Sequence, residues 1–382
     1  MKGMRDFLAE AEALHDTAIV LDGHADTPQR FVDTGWNWIG DPLGIGQLSA
    51  DTAHHGHLHG GFLIAWPEPQ AWAGRFAERT RSLIAGIHVQ AQKHPEALAV
   101  CTTATEVRVA RKADRYAALI GVEGGHAIEN SLDTLREFYT NGARYMTLTW
   151  ANANDWCGSS GYGGSGGLTG FGREVVREMN RLGMIVDVSH VSDAAFHDVL
   201  ETSSAPVIAS HSSSRSICPA ARNLTDDMAL ALAAKGGVVL VNFFAAFVDD
   251  TWRTAWNAIK PEMNAELDRA RQQDPTFNFY DELRIEREFA RRIPPAPFSV
   301  LIDHFDHLLH LVGPAHVGIG SDFDGIALSV EGMESAADLP KITAALLQRG
   351  WAADDLRGML GENLLRILQA AEDESSRGKG VS

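Results

Sequence analysis

Histidine and carboxylate side chains stand at the ends of several apolar runs of this chain, where buried strands can present reactive groups. The set holds three histidines and three carboxylates, namely His24, Asp26, Glu123, His190, His211 and Asp322. Because side chains two apart on a strand point to the same side, His24 and Asp26 converge. One such residue alone is equally explained by a polar group that caps a strand, but six together favour a metal centre.

Two borderline divalent ions fit this set if one carboxylate bridges them. Glu123 is in the middle of the set and offers two carboxylate oxygens, so we predict that it is the bridge. Two ions that share a hydroxide lower its pKa and polarise a carbonyl group. Asp322 would then orient the hydroxide and carry its proton to the leaving group. The residues alone therefore predict metal-assisted hydrolysis.

A second group of histidines is close to the start of the chain. His54, His55, His57 and His59 crowd a segment that precedes an apolar run rather than following one. A histidine-rich segment can bind metal. In a barrel, however, residues before a strand belong to the face opposite the chemistry, so we favour a solvent-exposed segment.

The elements that would position these residues recur along the whole chain. Short apolar, β-branched runs alternate with amphipathic helical patterns such as 131–142 and 172–183. Eight runs are found, at 18–24, 62–66, 118–124, 145–150, 184–190, 206–211, 238–243 and 316–322. Such alternation predicts an α/β protein, either a (β/α)₈ TIM barrel or a doubly wound open sheet. We favour the barrel, formed by residues 1–382 as one domain, because the polar residues follow five different runs.

Residues 244–315 interrupt this rhythm between the seventh and eighth strands. They contain helical patterns and the proline-rich stretch 293–297, which predicts a helical insertion. It could decorate the outside of the barrel, or it could act as a lid or dimer contact, and we favour decoration. The polar segment 375–382 is predicted to be a frayed tail.

Charge and hydropathy narrow the classes of partner. The formal net charge of −17 argues against a nucleic-acid partner, because phosphates would be repelled. No run approaches the roughly 18 apolar residues of a membrane span. The mixed, acidic start of the chain lacks the pattern of a secretory signal, which favours a cytoplasmic protein without a membrane partner.

Several motifs in order along nearly the whole chain resemble the membrane (renal) dipeptidase family of the amidohydrolase superfamily. The matching segments are DGHADTP (22–28), GVEGG (121–125), RYMTLTWANAND (144–155), VDVSHVSD (186–193), ASHSSSRSICPAARNLTDD (209–227), VNFF (241–244), HVGIGSDFDG (316–325) and LGENLLRIL (360–368). The resemblance implies a barrel with two zinc ions that hydrolyses short dipeptides, often with a D-residue on the carboxyl side. It also implies that members of the family pair into dimers.

The resemblance assigns roles residue by residue. It implies that one zinc is held by His24, Asp26 and Glu123, and the other by Glu123, His190 and His211. It makes Asp322 the proton-handling residue. It also implies that Arg222 binds the free carboxylate of the dipeptide, a task that suits the planar guanidinium group.

One position departs from the family pattern. The family usually ends its fourth strand with a histidine that contacts the substrate, and this chain has Trp150 there. An indole keeps one N–H donor but cannot accept a proton or carry charge. We therefore predict that Trp150 contacts the substrate, and that either its own N–H group or Asn152 or Asn154 replaces the lost donor. Two alternatives stay open: an amidohydrolase that acts on N-acyl amino acids or cyclic amides, and a metal-bound binding protein with little catalytic activity.

Overall fold

Nine strands form a single sheet in the computed structural model, which describes residues 4–40 and 46–379. Numbered β1 to β9 in chain order, they span Leu21–Ala25, Gly60–Ala65, Leu98–Val100, Tyr116–Val122, Ala143–Thr147, Ile185–Asp187, Ile208–Ala209, Val238–Val241 and Val317–Ile319. All the strand pairs are parallel, which requires a crossover connection between each strand and the next.

Helices supply these crossovers. In the described ranges the α-helices, α1 to α16 in chain order, span Met4–Thr17, Pro28–Asp33, Ala50–His55, Phe76–Lys93, Ala104–Lys112, Leu132–Thr140, Gly170–Leu182, Asp193–Thr202, Asp226–Ala234, Ala245–Val248, Asp250–Gln273, Phe279–Ala290, Phe298–Val312, Leu339–Gln348, Ala353–Arg357 and Asn363–Lys379. The patterns at 131–142 and 172–183 form α6 and α7. Helix α7 ends at Gly183, whose φ of 84° is the left-handed conformation that glycine adopts after a helix.

Eight of the strands close into a barrel, with β1 bonded to both β2 and β9 and β2 bonded to β4. The predicted (β/α)₈ TIM barrel is confirmed, and the open doubly wound sheet is excluded. Strand β3 was not predicted, because three residues are too few to show a period. It pairs with β4 from Leu98 opposite Tyr116, outside the closed ring.

The strands separate their apolar side chains into two clusters. Leu119, Tyr145, Ile208 and Leu240 come from different strands and pack together in one of them, inside the barrel. Leucines of α16 join this cluster, so α16 closes one end of the barrel. The other residues of the strands pack outward against the surrounding helices. Most strand residues are buried whichever face they are on, as expected where helices cover a parallel sheet.

The predicted insertion 244–315 is helical, as its pattern indicated, and consists of α10, α11, α12 and α13. Helix α13 contacts α9, α14 and β9, so it belongs to the outer ring of barrel helices. The extra structure is therefore α10 to α12, in which α11 packs against both α10 and α12.

The end of the chain differs from the predicted frayed tail 375–382. Helix α16 continues to Lys379, and Ser375 is buried against the body of the protein. Ser375 packs close to Gly183, the residue that follows α7, since a Cβ at Gly183 would lie 3.0 Å from the Ser375 Cβ. Residues 380–382 are outside the described residues. Among those described, no helix is long and apolar enough to cross a membrane.

Candidate metal centre and active site

The six residues singled out from the sequence meet at the carboxyl ends of the barrel strands. His24 is on β1 and Asp26 directly follows it, whereas Glu123 directly follows β4. The other three stand two or three residues past β6, β7 and β9, and they are His190, His211 and Asp322. All six are buried, with no more than 9% of any residue exposed. The barrel thus brings the predicted set into one site.

Glu123 is at the centre of this group. Its Oε1 lies 2.9 Å from His190 Nε2 and 3.4 Å from His211 Nε2, while its Oε2 lies 3.6 Å from His24 Nε2. The two carboxylate oxygens thus face different histidines. This is the arrangement that a carboxylate needs in order to bridge two metal ions.

Two overlapping groups of side chains are close enough to share an ion. One ligand atom from each of His24, Glu123 and His211 lies within 4.8 Å of the others, and the same holds for His24, Asp26 and Asp322. A Cβ at Gly325 would lie 2.1 Å from Asp26 Oδ2, so glycine at this position leaves the carboxylate room.

Several polar atoms of the site have no satisfactory partner in the part of the chain that the structure describes. His24 Nε2 and Asp26 Oδ1 are buried without a hydrogen bond. His190 Nε2 lies 2.9 Å from His211 Nε2. A nitrogen that carried the proton of a hydrogen bond between them would have no lone pair left to bind a metal ion. Buried polar groups are normally paired. Divalent cations would satisfy these atoms and neutralise the buried carboxylates, so the residues present fit a metal centre.

Hydrogen bonds beneath the site fix which nitrogen of His24 faces it. Tyr145 Oη donates to Gly23 O at 3.1 Å, so it accepts from His24 Nδ1 at 2.8 Å. The proton of His24 is thereby held on Nδ1. Its Nε2 lone pair is left to face the carboxylates.

His211 is oriented in the same way from the other side of the barrel. Ser210 Oγ donates to Asp187 Oδ2 at 2.5 Å and therefore accepts from His211 Nδ1 at 2.7 Å. Asp187 also accepts hydrogen bonds from Ser189 N and from Thr147 Oγ1. This buried carboxylate joins the ends of β5, β6 and β7, and it leaves His211 Nε2 free to face Glu123.

Burial and neighbouring charges change the acidity of the carboxylates. Burial raises the pKa of Asp322 to about 7, and the charges of Asp26 and Glu123 add to the effect. Asn242 opposes it by donating a hydrogen bond from Nδ2 to Asp322 Oδ2 at 2.9 Å. Burial also raises the pKa of Asp26, to about 6.

A cavity of about 750 Å³ opens above these residues. Its floor includes Asp26, Glu123, His190, His211 and Asp322, and Arg222 lies on its wall. This volume is within the usual range for small-molecule sites. The site is therefore both metal-competent and accessible to a ligand.

Arg222 is placed in this cavity as a cation that forms no salt bridge with any described residue. The residue is only 8% exposed, and its Nη1 donates to Ser212 Oγ at 2.7 Å. Its Nε and Nη2 are buried and have no hydrogen-bond partner. Burial lowers the pKa of its guanidinium group to about 10, at which it stays charged near neutral pH. Such a group is ready to accept a carboxylate in a two-pronged contact.

Trp150 also lines the cavity, whereas Asn152 does not. Asn152 Nδ2 donates to the neighbouring Ala153 O at 3.4 Å, so the structure does not bring it to the substrate space as predicted. Asn154 is committed to the loop, since its Oδ1 accepts from Trp156 N and Cys157 N. Neither asparagine lines the cavity, and Asn154 Nδ2 donates to Leu148 O at 2.8 Å.

Helices α11 and α12 form the far wall of the cavity. The lining residues on α11 are spaced like one helical face and comprise Arg253, Trp256, Asn257, Lys260, Met263 and Asn264. Helix α12 adds Phe279 and Glu286. Our preference for an outer decoration was therefore wrong, because the insertion encloses the substrate space. We call α11 and α12 the lid helices.

The histidine-rich segment is at the opposite end of the barrel. His59 directly precedes β2, and its Nδ1 accepts a hydrogen bond from Val20 N at 3.0 Å. His54 and His55 are exposed, as predicted, but His57 and His59 are half-buried. None of the four contacts the site above.

Some residues of the site were not predicted. Tyr145, Asp187, Ser210 and Asn242 touch the candidate ligands rather than the cavity. Asp187 had a visible signal, since an acidic residue inside the apolar run 184–190 needs a buried partner. Tyr145 had none, because a tyrosine in a strand is ordinary core material.

Comparison with known proteins gives consistent matches over the whole chain. The membrane dipeptidase (Peptidase family M19) model matches residues 8–380. Dipeptidase 3 of Homo sapiens is 32% identical over 377 residues, which cover 96% of this chain and 68% of that protein. Dipeptidase verJ of Clonostachys rogersoniana is 32% identical over 392 residues, covering 98% and 89%. The crystal structure of a metallopeptidase from Rhodobacter sphaeroides, liganded with a phosphinate mimic of the dipeptide L-Ala-D-Ala, has a TM-score of 0.74 at 26% identity and covers 93% of this chain and 99% of that chain.

Proposed function

The chain belongs to the membrane dipeptidase family, and from this premise we propose that it is a dizinc dipeptidase that hydrolyses short dipeptides, including L-Xaa-D-Xaa. It is an amide hydrolase of that metallopeptidase family. Its similarity to a metallopeptidase that binds a phosphinate mimic of L-Ala-D-Ala supports the stereochemical part of the proposal.

The metal ligands are assigned as the family resemblance implies, and the short distances from Glu123 to the three histidines support this assignment. His24, Asp26 and Glu123 would hold one zinc ion. Glu123, His190 and His211 would hold the other, with Glu123 shared between them. Such a pair of ions supplies Lewis-acid polarisation of the scissile carbonyl and a water of lowered pKa.

The observation that carries the proposal is the unpartnered guanidinium group of Arg222 in the cavity above the metal ligands. A dipeptide ends in a free carboxylate, which this group can bind through two N–H donors. Arg222 thereby orients the substrate so that its only amide bond lies over Glu123.

Proton transfer is assigned to Asp322. Its carboxylate is fixed by the N–H donor of Asn242 and faces Asp26 across the site. As a general base it takes a proton from the attacking water. As a general acid it returns that proton to the amine that leaves. Trp150 forms part of the wall against which the substrate packs.

A substrate panel tests this function. The zinc-loaded protein is assayed with L-Xaa-D-Xaa dipeptides, with the same dipeptides as carboxy-terminal amides, and with N-acyl amino acids. We expect hydrolysis of the free dipeptides and little hydrolysis of the amides, which lack the carboxylate. Hydrolysis confined to N-acyl amino acids or cyclic amides would contradict the dipeptidase assignment. Inactivity on every compound with two zinc ions bound would indicate a binding protein instead.

Variants of Arg222 sharpen the same test. Arg222→Met should lower kcat/KM for a free dipeptide by about 100-fold, mostly through KM, because it removes the partner of a buried charge. Arg222→Lys keeps the charge but not the two-pronged geometry, so its loss should be smaller. Equal losses on the free dipeptide and on its amide would show that Arg222 does not bind the carboxylate.

Two further features stay predictions from the sequence. We propose a cytoplasmic location, as the sequence analysis predicted. We also propose that the protein can pair into a homodimer, as the family resemblance implies.

A further inference from the structure

Three aromatic side chains meet at one side of the substrate cavity. The ring of Trp66 lies 4.7 Å from that of Trp150 and 5.3 Å from that of Phe279, measured between ring centroids. These are normal distances for interacting aromatic pairs. We call these three residues the aromatic box.

The box is assembled from distant parts of the chain. Trp66 directly follows β2, and Trp150 lies in the loop after β5 at the same end of the barrel. Phe279 is the first residue of the lid helix α12. The Asn278 side chain caps α12 and accepts hydrogen bonds from backbone N–H groups of its first turn, which fixes the position of Phe279. The box therefore exists only when the lid helices are packed on the barrel.

The box is open towards the reacting centre. All three residues line the same cavity as Arg222 and His211. Trp66 is buried, whereas Trp150 and Phe279 are half-buried and leave ring surface facing the cavity. The ring of Trp150 lies 6.4 Å from that of His190, so the box adjoins a metal ligand.

The order of the strands places the box and Arg222 on opposite sides of the barrel mouth. Around the closed ring the order is β1, β2, β4, β5, β6, β7, β8, β9, so β2 and β7 face each other across the axis. Arg222 donates a hydrogen bond to Ser212, which lies three residues past β7. Trp66 follows β2. The metal ligands lie between these two sides.

This arrangement has a consequence for a bound dipeptide. With its carboxylate at Arg222 and its amide bond over Glu123, the residue on the amino side extends towards β2 and β5. We propose that the aromatic box binds the side chain of this amino-terminal residue and selects a bulky apolar or aromatic one. This inference rests on the dipeptidase function proposed above and names its substrate class.

The physical basis is the removal of apolar surface from water. A phenyl group gains by burial against aromatic rings, whereas a charged side chain would lose hydration against them. A histidine at position 150 would have supplied a polar group. Trp150 supplies apolar surface instead, so the departure from the family pattern increases the apolar surface of the box.

The first experiment compares kcat/KM of the zinc-loaded full chain for matched substrates. We expect L-Phe-D-Ala to exceed L-Ala-D-Ala by about tenfold or more, which is the discrimination typical of an apolar pocket. L-Asp-D-Ala should be the poorest of the series. L-Ala-D-Phe carries the same ring on the carboxyl side and should gain nothing over L-Ala-D-Ala.

Variants test whether the box causes the preference. Phe279→Ala and Trp150→His should reduce the ratio of L-Phe-D-Ala to L-Ala-D-Ala several-fold, mainly through KM. Phe277→Ala is the matched control, because Phe277 is close in sequence but lines a different surface pocket. It should keep the ratio of the unchanged protein. A binding readout uses phosphinate dipeptide mimics with an amino-side benzyl or methyl group, whose inhibition constants should differ in the same direction.

The outcomes separate this inference from the proposed function. Dipeptide hydrolysis without a preference for a bulky amino-terminal residue would overturn the inference and leave the dipeptidase function intact. The same holds if the preference appears for L-Ala-D-Phe, or if Phe277→Ala removes it as fully as Phe279→Ala. Failure to hydrolyse any dipeptide would instead overturn the proposed function, on which the inference depends.

Discussion

The imidazole of His211 has one nitrogen to offer to the cavity, because its Nδ1 is already bonded to Ser210. Ser210 is oriented in turn by Asp187, which accepts at least three other hydrogen bonds. His24 is held in the same sense by Tyr145. Partners of this kind fix the tautomer and direction of a metal-binding histidine. Residues that are not themselves candidate ligands therefore orient the histidines for metal binding.

A substitution at Asp187 tests this preparation. Asp187→Asn places an amide donor among the donors that now surround the carboxylate, so the Ser210–His211 chain should lose its orientation. We expect zinc affinity, measured by competition with a chelator, to fall by about 10–100-fold. Asp193→Asn is the control, since that carboxylate contacts Arg215 at the surface. Unchanged zinc affinity in a folded Asp187→Asn protein would contradict the positioning role.

At the scale of elements, the ligands sit on turns just beyond short strands. Strands β6 and β9 have three residues each, and β7 has two. His190 and Asp322 have φ values of 69° and 65°, a left-handed conformation that is uncommon for residues other than glycine. The backbone therefore turns sharply at these two candidate ligands. Strained backbone of this kind often marks functional positions.

The sequence predicted these elements better than their contacts. The eight apolar runs and the positions after them were enough to place six residues at one barrel mouth. Strand β3 was missed because it is too short to show a pattern. The role of the lid helices was misjudged, because a helical period does not reveal which neighbour a helix covers. Asn152 lies in a loop that follows no period, so the sequence did not show that this residue is outside the lining of the cavity.

Packing between α1 and α14 gives a prediction about acid stability. His15 of α1 is fully buried, with its Nε2 2.8 Å from Thr343 Oγ1 of α14. Burial lowers the pKa of His15 to about 4, so the folded protein holds a neutral imidazole that the unfolded chain would protonate below about pH 6.5. The free energy of unfolding should therefore fall as the pH drops from 6.5 towards 4, by up to about 3 kcal/mol from this residue.

The measurement compares pH-dependent unfolding of the protein and of His15→Gln at equal zinc loading. Glutamine can keep a hydrogen bond to Thr343 but does not titrate. Loss of metal at low pH affects both proteins equally, so the difference between the two curves isolates His15. Curves that stay parallel between pH 6.5 and 4 would show that His15 does not contribute.

At the scale of the whole molecule, the barrel keeps its two ends distinct. One end carries the candidate metal ligands, Arg222 and the lid helices, and the other carries the histidine-rich segment around His57. Family membership, which the ordered motifs already indicated, is confirmed by matches along nearly the full chain. A barrel can vary its loops without changing its core, so a residue such as Trp150 can differ within the family while the fold stays the same.

We propose that this barrel uses two zinc ions to cleave dipeptides. The most direct test is a titration of the metal-free protein with zinc, in which hydrolysis of L-Ala-D-Ala is measured at each zinc-to-protein ratio. We predict that activity rises and reaches its plateau when two zinc ions are bound per chain. A plateau at one ion per chain, or no hydrolysis with two ions bound, would contradict the claim.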